Sequence, residues 1–398
     1  MKRTTVYCGA LTTCAALALA LLFGCDNSKK SVITPPAIVP KFLYAASCGS
    51  LGPSLHTRMR RHMKPGLVSN GSSDTGSVSG FTVDATTGAL TAISGNPLAT
   101  GLDCPEFLAV DPGQKFLFVP DEGNDLIHSY SIGATGALTE NGSPVSQCAY
   151  QLTVDPSGKY LIAPDFCSDN IGVYAIASDG SLTAVTGSPF AETSGNEPES
   201  AWVSPNGQFV YIADWSDGAS TISAFSLSAA GALTEIAGSP FAAGSFTYSI
   251  SGTPDGKYLY VDDYSSDTPI DGFSVNSTTG ALTALSTPSF AGGACWLSVD
   301  ATGTVLFSTD CGNGNVYSSL IGTDGTLTAA AGSPFATGGS DPWPVAGDPS
   351  GKFVYVGDDA DVTAIYSYSY SSAGVLTAIT GSPFAPAGTY TEGIVVTH

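Results

Sequence analysis

The sequence predicts an all-β fold, a seven-bladed β-propeller with four antiparallel strands per blade. Three observations carry that prediction. A Gly-x-Leu-Thr unit recurs seven times, at Leu90, Leu138, Leu182, Leu233, Leu282, Leu327 and Leu376, and its spacing of about 48 residues falls in the range of propeller blades. Helical periodicity is absent from the repeats, while Gly, Ser, Thr and aromatics are abundant, as suits short strands joined by tight turns. The two ends of the repeat region supply different strands of one unit, so the ring can close on itself.

From the N-terminus, Lys2 and Arg3 precede an apolar stretch that runs from about Ala15 to Phe23. It is short for a bilayer span and fits the apolar region of an export signal. It ends in Leu22-Phe23-Gly24-Cys25, which resembles a bacterial lipobox. Residues 1–24 are therefore expected to be a lipoprotein signal peptide, with Cys25 lipidated as the first mature residue. Several acyl chains on one cysteine anchor stably where a single chain binds marginally. Residues 25–40 read as the lipidated Cys and a flexible tether, polar at first and Pro-rich at the end. The expected location is exported and membrane-anchored, in the periplasm or at the cell surface.

Residues 41–398 are expected to form the propeller, long enough for a large core. Within each unit a turn precedes an apolar strand, as in Asp111-Pro-Gly-Gln-Lys115, Asp155-Pro-Ser-Gly-Lys159, Thr253-Pro-Asp-Gly-Lys257 and Asp348-Pro-Ser-Gly-Lys352. Pro fixes φ and Gly permits positive φ, which is turn chemistry. The fourth unit gives strands at 199–203, 208–213, 221–227 and 233–236, named a to d from the axis outward. A Gly-Ser-Pro-Phe segment usually follows strand d, as at Gly187–Phe190 and Gly238–Phe241. A four-stranded unit cannot bury both faces alone, but radial packing against its neighbours does so. The region opens with Lys41–Ala45, which matches strand b, and closes with Glu392–Thr397, which matches strand a. The C-terminal strand is thus expected to join the N-terminal blade, three strands plus one.

A formal net charge of −21 excludes nucleic acid as a partner. Of nine cysteines, six fall in the propeller. An even number in an exported domain suggests disulfides. Cys148 precedes strand a and Cys167 follows strand b of one blade, and antiparallel pairing brings those ends together. Cys295 and Cys311 repeat the arrangement, which leaves Cys48 for Cys104.

The Asp-Pro-x-Gly-Lys turns with their aromatic-apolar strands, together with the Gly-x-Leu-Thr strands, resemble the seven-bladed β-propeller lactonase family. That family includes 6-phosphogluconolactonase and the fungal muconate-lactonizing enzymes. The resemblance covers about 41–398 and implies a hydrolase of a small sugar or other lactone. It places the ligand mouth at the residue five positions before each Asp-Pro turn, near the start of strand a: Glu392, Glu106, Tyr150, Glu199, Tyr248, Cys295 and Trp343. The family's His is missing from this column, and no Arg lies in any a strand. His56 and His62 lie in a loop, His128 in a c strand and His398 at the terminus.

Lactone hydrolysis needs a base for water and a donor for the developing oxyanion. Glu106, Glu199 and Glu392 are the candidate bases, and Tyr150, Tyr248 and Trp343 the candidate substrate-binding residues. No oxyanion donor is evident unless a loop supplies one. Residues 49–76 lengthen the b-to-c connection of the first blade and carry Arg58, Arg60 and Arg61, whose forks suit an anionic substrate. The alternative for this loop is a solvated insertion that offsets acidic charge. Asp121, Asp165, Asp214, Asp262, Asp310 and Asp358 follow strand b, one per blade, which argues for turn capping. No cofactor is expected. Ca²⁺ is the metal such carboxylates would take, yet the loops lack an EF-hand spacing. No P-loop, dinucleotide fingerprint, zinc motif or nucleophile elbow is present.

Two functions follow. One is a lactonase-like hydrolase, which predicts convergent carboxylates in a closed axial pocket. The other is a non-catalytic envelope propeller for protein or glycan, which predicts an open channel with exposed Trp215, Tyr264 and Trp343 on its rim. A monomer is expected in either case.

Overall fold

The computed structural model describes residues 41–48 and 76–398, apart from 194–195, 217, 265–268, 291, 294, 360–363 and 389. The signal, Cys25, the tether and Arg58, Arg60 and Arg61 lie outside the described residues. Seven antiparallel sheets form a ring of blades. The fourth blade has its strands at Glu197–Val203, Phe209–Trp215, Thr221–Leu227 and Leu233–Glu235, within two residues of the sequence reading. Strand Thr391–Val396 pairs antiparallel with Phe42–Ser47, matching Leu43 to Val396 and Ala45 to Ile394. The C-terminal strand therefore completes the first blade, as expected.

The repeated motifs each have a structural task. In the Asp-Pro turns the Asp side chain gathers the backbone that enters strand b. Asp111 Oδ1 accepts the N–H groups of Lys115 and Phe116, both at 2.7 Å. Asp155 does the same for Lys159 and Tyr160 at 2.8 and 2.7 Å. Where Thr253 replaces Asp, its hydroxyl accepts the N–H of Tyr258 at 3.1 Å. The second residue of strand b is aliphatic and fully buried in every blade, from Leu43 in the first to Val354 in the seventh. Burying each such side chain contributes roughly 1.5–3 kcal/mol.

A tyrosine in strand b pins each of several blades to the next. Tyr44 donates to the carbonyl of Gly136 at 2.9 Å, Tyr211 to Gly280 at 2.8 Å, Tyr260 to Gly325 at 2.7 Å and Tyr355 to Gly88 at 2.9 Å. The acceptors are the first residues of the Gly-x-Leu-Thr units. Each glycine has positive φ, and a Cβ on Gly88, Gly280 or Gly325 would strike a ring of the preceding blade. The motif is therefore an inter-blade contact as well as a turn.

The Gly-Ser-Pro-Phe segment adds structure that the sequence reading lacked. In most blades the chain returns to pair with the start of strand c, as Phe190 does with Ile171. The Ser hydroxyl accepts a strand-c N–H, Ser188 from Val173 and Ser239 from Ala224, both at 2.9 Å. The segment thereby saturates backbone groups that strand d is too short to reach.

Candidate functional site

Strand a carries its column residues to one end of the axis. All of them are buried. Glu106 is 0 % exposed and Glu199 and Glu392 are 2 % exposed, so these carboxyls are enclosed and not solvated channel groups. Tyr150, Tyr248 and Trp343 are likewise buried. The carboxylates of Glu106 and Glu392 lie within 4.8 Å of each other and of the sulfurs of Cys48 and Cys104. Glu199 stands apart from this pair, beside Tyr248, whose hydroxyl is pushed up by burial and by the Glu199 charge.

Three disulfides frame this end: Cys48–Cys104, Cys148–Cys167 and Cys295–Cys311, with Cα separations of 4.1, 5.9 and 6.1 Å. The pairing is the one read from strand order. Three disulfides point to maturation in an oxidising, exported compartment. Because the Cys48 and Cys104 sulfurs bond to each other, they offer no thiolate to a metal beside Glu106 and Glu392.

The expected aromatic rim is overturned. Trp215 is 7 % and Trp343 1 % exposed, and Tyr264 is half-buried. The aromatics turn inward and meet across the axis. Phe107, from the second blade, stacks on Trp296, from the sixth, with centroids 3.5 Å apart. Trp296 continues to Trp343 at 6.4 Å, Trp343 to Tyr248 at 6.2 Å and Tyr248 to Trp215 at 6.4 Å. Seven a strands converge on a narrow axis, so large side chains from facing blades fill it. The mouth therefore has an aromatic floor in place of an open channel.

The Asp residues after strand b do more than cap their own turns. Asp262 Oδ1 accepts the N–H groups of Tyr248 and Ser249, at 2.9 and 2.8 Å. Asp121 Oδ1 accepts the N–H of Asp103 at 2.6 Å, in the loop that leads to Cys104 and Glu106. Asp165 accepts from the side chain of Gln147 at 2.9 Å and from the N–H of Cys167 at 3.1 Å. Each carboxylate thus fixes the stretch that delivers a column residue.

A further carboxyl lies near this end, outside the column. Asp341, partly buried, precedes the inner strand of the seventh blade. Burial, with the negative charges of Asp358 and Glu392, raises its carboxyl from 3.8 to about 7. Asp341, Asp358, Glu392 and Glu106 form an arc of carboxyls over the seventh, first and second blades. The indole N–H of Trp343, two residues on, is buried without a hydrogen-bond partner. His128 is not part of the mouth. Its Nδ1 lies 2.8 Å from Glu140 Oε1 and its Nε2 3.4 Å from Asp121 Oδ2, on the side of the second blade.

Comparison with known proteins agrees with this architecture. The family model described as a seven-bladed β-propeller lactonase matches residues 66–202. The chain is similar in sequence and fold to the seven-bladed β-propeller lactonases. No curated protein sequence matches it. Among solved structures, a Lactobacillus plantarum protein superposes with a TM-score of 0.71 at 17% identity, covering 90% of this chain and 100% of its own. The periplasmic gluconolactonase of Pseudomonas aeruginosa superposes with a TM-score of 0.67 at 19% identity, covering 89% of this chain and 99% of its own. At these identities the likeness is one of fold. The lactonase-type ring here carries carboxyls and aromatics at its mouth, where the sequence likeness had implied a His.

Proposed function

We propose that this chain is an exported lactonase-like hydrolase of a small lactone, held at the membrane through Cys25. The observation that carries the reading is Asp341, a partly buried carboxyl at the mouth whose pKa burial and the charges of Asp358 and Glu392 raise to about 7. A general base works best with its pKa near the working pH. In the proposed reaction ionised Asp341 takes a proton from water as the oxygen attacks the lactone carbonyl. The indole N–H of Trp343 donates to the oxyanion. The ring C–O bond then breaks, and the Asp341 proton passes to the departing alkoxide. Burial, with the charges of Asp358 and Glu392, sets the proton affinity of Asp341, and Glu106 walls the same arc.

The fold likeness to a gluconolactonase supports the reaction class by analogy alone. The alternative, a binding propeller, predicted an exposed aromatic rim of Trp215, Tyr264 and Trp343, of which Trp215 and Trp343 are buried.

The test is proton release by the purified full chain across uncharged sugar, aliphatic and aromatic lactones. Asp341→Asn is expected to lower turnover by roughly 100-fold or more with unchanged circular dichroism. Absence of turnover on every lactone, or full turnover in Asp341→Asn, would refute this assignment.

A further inference from the structure

The segment that brings Glu106 to the mouth is laced to the end of strand b in the second blade. Glu106 N–H donates to the carbonyl of Pro120 at 3.0 Å, Glu122 N–H to that of Cys104 at 3.3 Å and Gly123 N–H to that of Asp103 at 2.7 Å. A further tie runs through a charged side chain, from Asp103 N–H to Asp121 Oδ1 at 2.6 Å. Within this segment Cys104 has φ 58°, in the left-handed region that a non-glycine residue keeps only where its contacts over-determine it. Among these four ties, the Asp121 link is the one that depends on a charge.

Asp121 is 1 % exposed. Besides Asp103 N–H, it accepts Asn124 Nδ2 at 2.9 Å and faces His128 Nε2 at 3.4 Å. Among the described residues, His128 is the one cationic side chain beside it. The imidazole itself stands between two acids. Glu140, from strand d, lies 2.8 Å from Nδ1, and Asp121, at the end of strand b, lies beside Nε2. Tyr130, two residues along strand c, stacks on the ring with centroids 6.3 Å apart, and burial keeps its phenol protonated. These are the titratable groups that face it. An imidazolium has two N–H donors and serves both carboxylates, whereas a neutral ring keeps one. The closer Glu140 retains that proton, and a lone pair on Nε2 then faces Asp121. A buried carboxylate that loses its cation is left uncompensated, and the water that relieves it opens the Asp103 link.

We propose that His128 is a positioning residue for the mouth. Its protonated ring holds Asp121, and through Asp121 the Asp103–Glu106 wall; when the ring proton leaves, that wall loosens. The inference takes its functional meaning from the proposed reading of this end as the ligand site, and it adds a proton-controlled support behind Glu106. Burial works against the imidazolium, but Asp121 and Glu140 outweigh it and raise the ring above 6.5. The wall is therefore firm in mild acid and loosens as pH rises through the folded value.

The test is amide hydrogen exchange of the full chain, without substrate, from about pH 5 to pH 8. Dividing each rate by that of the unfolded peptide removes the intrinsic pH dependence. Protection of the Asp103, Cys104 and Glu106 amides is expected to fall about tenfold, the worth of one charge-assisted hydrogen bond. The midpoint of that step is expected to coincide with the His128 titration followed by NMR. His128→Gln is expected to show the weaker protection at every pH, with no step. Glu140→Gln is expected to move the step to lower pH together with the ring titration. Asp341, raised to about 7, titrates in the same range, and a step owed to it would survive His128→Gln. Such survival would overturn the inference, as would a wild-type step that is absent or displaced from the ring's own midpoint. The two wild-type midpoints decide the matter even where a variant fails to fold. Absence of turnover on every lactone would sink the hydrolase reading and leave this support standing.

Discussion

Asp262 Oδ1 accepts the N–H of Tyr248 at 2.9 Å, so a fully buried acid in strand b sets the position of an aromatic at the mouth. Burial pushes that carboxyl well above its ordinary value of 3.8, although the two N–H donors oppose the rise. An acid raised in the folded state contributes stability that is complete below its unfolded value and is lost as pH rises through its folded value. Asp341, raised to about 7, and Asp214, raised by burial and by Glu192, act in the same direction. The melting temperature is therefore expected to fall between pH 5 and pH 8. Asp262→Asn keeps the Oδ1 acceptor and removes the ionisation, so it is expected to flatten that slope. Calorimetric scans of both proteins across this range check it, and parallel slopes would contradict the role given to Asp262.

Tyr260 tests the inter-blade pins. Its hydroxyl donates to Gly325 at 2.7 Å, and both groups are buried. Tyr260→Phe leaves a buried carbonyl without its donor and is expected to cost about 1–3 kcal/mol. Urea titration reads this as a lower midpoint at an unchanged slope. A midpoint that does not move would show that the carbonyl finds another partner.

His128 is expected to titrate late. Burial opposes its charge, but the hydrogen bonds and negative charges of Asp121 and Glu140 outweigh it and raise the imidazole above 6.5. The stabilisation is present below 6.5 and is lost as pH rises through the folded value. Glu140→Gln is expected to lower the His128 pKa measured by NMR titration. No change would mean that Asp121 alone holds the proton.

The Cys48–Cys104 disulfide spans 56 residues and joins the first blade to the second. On the chain-entropy account such a loop contributes roughly 4 kcal/mol. The Cys48→Ser, Cys104→Ser double variant is expected to lose about that much in denaturant unfolding. Lactone turnover in that variant also reports how far Glu106 and Glu392 depend on the staple.

The architecture was legible because the repeated residues act locally. Asp111 binds its own turn, and Leu43 and its counterparts recur at a fixed register, so a linear motif maps directly to a blade. The strand-to-strand order behind Cys148–Cys167 follows from the same regularity. The site was less legible. Asp341 lies seven residues before Asp348, outside the aligned column, and its raised proton affinity comes from burial and from Asp358 and Glu392 on other strands. No single-residue pattern encodes that meeting. The burial of Trp215 and Trp343 was missed for a related reason. Alternation along one strand cannot show that Phe107 and Trp296 arrive at the same point from facing blades.

The ring closure has a mechanical consequence. Lys41 N–H bonds the carbonyl of Thr397 at 3.1 Å, and Phe42 N–H bonds the Thr397 hydroxyl at 3.0 Å. The first and last strands of the ring therefore begin and end side by side, at the same edge of one sheet. Tension applied between residues 41 and 397 would load that antiparallel pair one rung at a time and unzip it. The same pair stretched lengthwise by a pull from opposite ends would have to shear all its rungs together. The clasp that shuts the propeller against thermal opening thus yields readily to a pull between its ends and resists a pull along its strands.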